Sequence, residues 1–195
     1  MKIFLCILFL ILNFQFLAKA DDIRDLEIEG ISIGDSLLDF QSISEISESE
    51  KNASFYNNKK YKVIFVKKNS SKFDFLQATV KSDDKEYIIE SLDGTIDYNG
   101  KINECKKEKE IIINQLTKII DGFKRSDEDK KHRADKYGES FHYGSWFYLD
   151  SGGYFEVSCT DYGKKMFEEN GWVDELLVSF SSEKFLQFML HEAYN

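Results

Sequence analysis

From residue 102 to residue 123 the apolar side chains Ile102, Cys105, Ile112, Leu116, Ile119 and Phe123 recur at three- and four-residue steps, and Ile113 and Ile120 widen the stripe. This is the best-marked helix in the chain. A helix with one apolar stripe must bury it against something, and the strand-like segments before it offer that surface. Residues 61–67, 73–81 and 86–92 are rich in β-branched and aromatic side chains and are separated by polar breaks, the pattern of consecutive antiparallel strands. Asp93-Gly94 has the chemistry of a tight hairpin turn leading into 95–98.

The flanks of this central block fill out the order. Leu26, Ile28, Ile31 and Ile33 make a strand-like start, and Asp35 or Ser36 can cap a helix that carries Leu37, Leu38, Phe40, Ile43 and Ile46 inward. The Ser- and Glu-rich residues 47–54 read as a loop. Gly122 and the charged run 124–139 read as the exit of the long helix into a long surface loop. Residues 141–149 form a strand with rings on both faces, Ser151-Gly152-Gly153 turns it back into 154–159, and 172–180 gives a last strand. In the returning strand Phe155, Val157 and Cys159 share one face. Ser181 or Ser182 can cap a closing helix with Phe185, Leu186, Phe188, Met189 and Leu190. The expected class is α+β: an antiparallel sheet built of two helix-plus-meander halves, with helices packed on it.

Residues 1–20 have the make-up of a cleaved export signal. Lys2 begins it, 3–17 are apolar except for Asn13 and Gln15, and Ala18-Lys19-Ala20 supplies the small residues of a cleavage site. An apolar run this short, followed by Asp21 and Asp22, does not suit a membrane anchor, which wants about 20 apolar residues. Residues 21–195 then form a single exported domain with no membrane span. Losing Lys2 and Lys19 reduces the 26 basic residues to 24 against 35 acidic ones, a net charge of −11. Such a balance argues against nucleic acid, which selects lysine and arginine clusters.

Cys6 leaves with the leader, so Cys105 and Cys159 remain. In an oxidising compartment an even pair is expected to bond, and closing that loop is worth about 4 kcal/mol in the chain-entropy model. Asn52-Ala53-Ser54 and Asn69-Ser70-Ser71 are glycosylation sequons if the host is eukaryotic.

Gly34-Asp35-Ser36-Leu37 resembles the nucleophile block of the GDSL-type serine esterases. That resemblance implies Ser36 as nucleophile and His132 as base, oriented by Asp129 three residues before it. The glycine and the Gly-x-Asn-Asp block with which that family completes its oxyanion hole have no counterpart as a tetrapeptide here. Helix capping accounts for Asp35 and Ser36 without catalysis. Asp150-Ser151-Gly152-Gly153 is similar to the nucleophile stretch of trypsin-like proteases, but Leu149 stands where a glycine belongs and no histidine precedes His132, so a hairpin turn explains it better. His132, His142 and His191 fall one to a segment and carry no metal signature, and the acid pairs lack the alternation of a calcium loop. No cofactor is expected. The run 124–139 sets six basic and five acidic residues around His132, and Tyr143, Trp146, Tyr148 and Tyr154 could serve as core or as a contact surface.

The opening Ile28-Glu29-Gly30-Ile31-Ser32-Ile33-Gly34-Asp35-Ser36-Leu37-Leu38-Asp39-Phe40, together with Ser151-Gly152-Gly153 and Val157-Ser158-Cys159-Thr160-Asp161, resembles a group of small exported bacterial proteins of uncharacterised activity. The resemblance implies the periplasm and transfers no catalytic residue. The leading expectation is a non-enzymatic domain that binds a protein or envelope component. Its alternatives are a hydrolase using Ser36 and a small-ligand binder with a pocket between the long helix and the sheet.

Overall fold

The computed structural model describes residues 20–56, 58–67 and 72–193. The leader, apart from Ala20, and the sequon Asn69-Ser70-Ser71 lie outside them. In chain order a small hairpin of β1 (Glu27–Ile28) and β2 (Ile31–Ser32) is followed by helix α1 (Ile43–Glu50) and strands β3 (Ser54–Phe55), β4 (Tyr61–Phe65), β5 (Phe75–Lys81) and β6 (Ile89–Asp97). Helix α2 (Ile102–Ile119) then precedes β7 (Phe123–Lys131), β8 (Phe141–Leu149) and β9 (Tyr154–Asp161), and α3 (Lys164–Asn170), β10 (Glu175–Ser181) and α4 (Glu183–His191) complete the order. Strands β3 to β10 form one antiparallel sheet in the order β3-β4-β5-β6-β10-β9-β8-β7. Each half is a helix followed by four strands, and the two halves join where their last strands, β6 and β10, pair. The fold is α+β with helices on an antiparallel sheet.

Register divides the sheet into two faces, because residues paired across strands share a face and neighbours along a strand do not. One row under the helices runs Ile64, Ala78, Leu92, Phe180, Phe155, Phe147, from β4 to β8. All six are buried, Phe147 and Phe155 stack with centroids 4.3 Å apart, and Phe180 meets Phe155 edge-on. Helix α2 lowers Cys105, Ile112 and Ile113 onto this face, each such aliphatic side chain being worth roughly 1.5–3 kcal/mol when buried. Cys105, in its first turn, and Cys159, on β9, have their sulfurs at bonding distance with Cα atoms 6.1 Å apart. That juxtaposition pins the helix to the sheet.

Several local expectations change. Asp93-Gly94 is not a turn: β6 passes straight through it, and a Cβ on Gly94 would meet Phe73 Cδ1 at 2.7 Å, so the glycine admits a ring rather than a reversal. The run 124–139 is not one long loop, since its first part is β7, paired with β8 from Phe123↔Leu149 to Lys131↔Phe141. An outer strand has little to bury, and β7 therefore lacks an apolar period. Helix α2 ends before Phe123 because Ile120 turns extended and bridges to Ala20. Ser36 caps only a short 3-10 turn, Leu37–Asp39, while α1 starts after Ser42 and takes up part of the expected 47–54 loop. Helix α3 enters between β9 and β10, an element the expected order lacks, and the last strand begins at Glu175 rather than at 172.

Candidate functional site: the open face of the sheet

The opposite face has a different composition. Phe65, Gln77, Asp93, Ser179, Glu156, Trp146 and Ser126 form one cross-strand row; Phe75, Thr95, Leu177, Ser158, Gly144 and Glu128 form the next; and Asp97, Glu175, Thr160, His142 and Lys130 form a third. At one end α4 covers the face, setting Phe185 and Phe188 against Tyr61 with centroids 5.2 and 4.6 Å apart. Ser182 caps that helix by accepting from Phe185 N at 3.0 Å. At the other end Tyr162 and Trp172 form a rim, their rings 5.3 Å apart, and His132 packs edge-on against both.

Between these ends lies a cavity of about 530 Å³. Phe65, Phe75, Tyr162 and Trp172 wall it, and Asp93, Asp97 and Glu175 contribute carboxylates. Phe65, Phe75 and Trp172 keep 43, 48 and 38% of their surface in water. Ser179 Oγ donates to Asp93 Oδ1 at 2.5 Å, and the Tyr162 hydroxyl donates to Glu175 Oε1 at 3.1 Å. Removal from water pushes Asp93 up to about 6, against the hydrogen bond from Ser179 that favours its charged form; the nearby Glu156 and Glu175 charges push the same way as burial. Burial also raises Glu175, with Asp97 adding to it, and raises Asp97, with Asp74 adding to it.

Beside the cavity the polar groups are tied to one another. Trp146 Nε1 donates to Glu156 Oε2 at 2.9 Å, and His142 Nε2 lies 3.2 Å from Glu156 Oε1 while its Nδ1 faces Thr160 Oγ1 at 3.2 Å. Gly144 makes this possible: a Cβ there would sit 2.1 Å from the Trp146 ring, which lies across the glycine. Ser158, in the row with Gly144, is fully buried and its Oγ has no hydrogen-bond partner.

The candidate catalytic residues do not meet. Ser36 Oγ donates to Glu86 O at 2.6 Å and accepts from Leu38 N at 3.2 Å, the bonds of a cap. Ser36 bridges Ile88, whereas His132 lies against Tyr162, which bonds Glu175 opposite Asp97. From residue 88 to residue 97 the strand rises about 30 Å at roughly 3.3 Å per residue, so serine and histidine stand at opposite ends of the sheet. Burial lowers the His132 pKa, and its Nδ1 is unpartnered. Asp150-Ser151-Gly152-Gly153 is the β8–β9 turn, where Gly153 at φ +80° also comes too close to Ser181 O for any side chain. Among the described residues no group of three His, Cys, Asp or Glu side chains is placed to hold a metal ion.

Tyr143 and Phe147 face the helices while Trp146 and Tyr148 face the open side, so the aromatic strand serves both layers. The pocket expected between the long helix and the sheet exists as a cleft of about 490 Å³ lined by Ile112, Leu116, Val178 and Phe180. Glu27, Glu29, Lys72 and Gln115 also line it. The cavity carboxylates were legible only as alternation: Ser91, Asp93, Thr95 and Asp97 against Leu92 and Ile96, and Glu175, Leu177 and Ser179 against Leu176, Val178 and Phe180. No family model, curated protein or solved structure matches this chain.

Proposed function

We propose that the chain is a non-enzymatic binding domain of the bacterial periplasm that holds a protein or envelope component against the open face of its sheet. One observation carries this reading: the open side presents three large rings, Phe65, Phe75 and Trp172, to water around a cavity. Solvent-exposed rings gathered around a concavity are the usual material of a recognition surface. The leader-like residues 1–20, the juxtaposed Cys105 and Cys159, and the resemblance of residues 28–40 to exported bacterial proteins support an oxidising, extracytoplasmic setting. Among the described residues no helix is long and apolar enough to cross a membrane.

A photo-crosslinking amino acid at position 75, introduced in the source cells, tests the proposal. Capture of a defined envelope partner from position 75, and not from position 118 on the outer side of α2, is the expected result. Equal labelling from both positions, or none from position 75, removes the reading.

A further inference from the structure

The residues that α2 buries are Cys105, Lys109, Ile112 and Ile113, and one of the four is charged. Lys109 takes the inward position between Cys105 and Ile112 and keeps 7% of its surface in water. The other buried lysine among the described residues, Lys62, is matched with Glu50 and also donates to Ser82 O at 3.3 Å. Lys109 makes no hydrogen bond and no ion pair among the described residues, and meets Glu110, Asp127, Asp129 and Arg125 only through space. An exposed lysine without a partner keeps its water, whereas a buried one gives it up for nothing. An apolar side chain would complete the stripe without that cost. Burial lowers the Lys109 pKa, and the Arg125 charge adds to it, although three carboxylates pull the other way.

We infer that the cavity lined by Lys109 binds a small zwitterion of the α-amino acid class, its carboxylate on the lysines of α2 and its ammonium on the acids opposite. The cavity measures about 310 Å³, the small end of the range for ligand sites. Helix α2 forms one wall with Lys106, Lys109 and Glu110. The sheet forms the other, where Arg125, Asp127 and Asp129, alternate residues of β7, share the helix-covered face with Tyr143. Arg125 and Asp127 satisfy each other, Nε to Oδ2 at 2.9 Å, and Ser145 Oγ donates to Asp127 Oδ1 at 2.6 Å. The remaining charges stay apart. Lys106 Nζ lies 3.2 Å from the centroid of the Tyr143 ring, and none of Lys106, Glu110 and Asp129 takes part in an ion pair among the described residues. A simple anion in this space would meet Glu110 and Asp129, and a simple cation would meet Lys106 and Lys109. A molecule that carries both poles on neighbouring atoms suits both sets, and its carboxylate supplies the buried ammonium with the partner the chain withholds. Among the described residues no three acids converge to hold a metal ion there instead. The site lies on the helix-covered side of the sheet and does not depend on the binding role proposed for the open face.

The test is a titration of the isotope-labelled, oxidised protein with three probes, followed by amide resonances. They are L-alanine, N-acetyl-L-alanine, which lacks the ammonium, and L-alaninamide, which lacks the carboxylate. Alanine is expected to move the signals of residues 106–110 and 125–129, and each blocked form should bind about tenfold more weakly. Lys109→Met, which fills the stripe with an unbranched apolar side chain, should keep the fold in urea unfolding and lose alanine binding. Asp129→Asn, on exposed strand β7, should weaken alanine about tenfold and carries the test if the methionine variant does not fold. No response of those signals to alanine overturns the inference. So does either blocked form binding as tightly as alanine, or either folded variant binding alanine as tightly as the unmodified chain.

Discussion

The two faces of one sheet follow different rules. Beneath α1 and α2 the side chains are Ile, Leu, Val and Phe, and among the core strands the chief departures are Ser145 near the β7 rim, whose hydroxyl donates to Asp127, and Lys62, which pairs with Glu50. On the other side the same strands present Asp, Glu, Ser, Thr, His and Trp, several of these are buried, and burial pushes the Asp93 carboxyl up to about 6. The first face has the composition of a solution to folding. The second is the solvated side of an antiparallel sheet, where polar side chains are the ordinary outcome, and Asp93, drawn out of water there, is its costly member. The contrast separates the part of the molecule that maintains the fold from the part to which we assign the proposed binding role.

The largest test breaks the covered face. Phe155→Ala removes the ring between Phe147 and Phe180 and should cost up to about 5 kcal/mol in urea unfolding, without altering the rim of the cavity. Next, replacing both cysteines by serine releases a loop spanning 54 residues and should cost about 4 kcal/mol; added reductant should lower the stability of the unmodified chain and leave that of the variant unchanged.

The open face should respond with the opposite sign. Asp93→Asn keeps an acceptor for Ser179 and removes a charge that burial disfavours, so it should stabilise the protein by roughly 2 kcal/mol above pH 7. The folded carboxyl titrates near 6 and the unfolded one near its ordinary 3.8. Between these values the unfolded state releases the proton first, so the unmodified chain loses stability as pH rises through the interval, and the gain from Asn should be absent below about pH 4 and complete above about pH 7. A gain that does not vary with pH would show that Asp93 is not the titrating group. The smallest effect belongs to Ser36→Ala, which removes a cap and should cost about 1 kcal/mol, as read by thermal unfolding. A fluorophosphonate probe should label the unmodified protein no more than this variant.

The covered face was the more legible of the two. The stripe of α2 and the alternation of Phe155, Val157 and Cys159 arise from burial, which leaves a period in the sequence, and the helix that follows Ser182 was legible on the other face for the same reason, because it buries Phe185 and Phe188 there. What burial does not govern was lost. Strand β7 is held by its ladder to β8 and by exposed pairs such as Arg125–Asp127 and Lys130–Glu128, and so its sequence resembles a loop. Asp93-Gly94 was misassigned because the same dipeptide serves a turn or a close ring contact, and only the distant Phe73 decides between them. The cavity itself depends on β6 meeting β10, which brings Ser179 to Asp93 across 86 residues. Local pattern does not encode that register.

Strand β7 has one more consequence. It closes one margin of the sheet with Lys124, Arg125, Asp127, Glu128, Asp129, Lys130 and Lys131, while β3 at the other margin is only two residues long. A foreign strand seeking to extend the ladder would have to strip water from a row of charges of both signs at one border, and would find almost no template at the other. The molecule therefore discourages ribbon-like growth from either side.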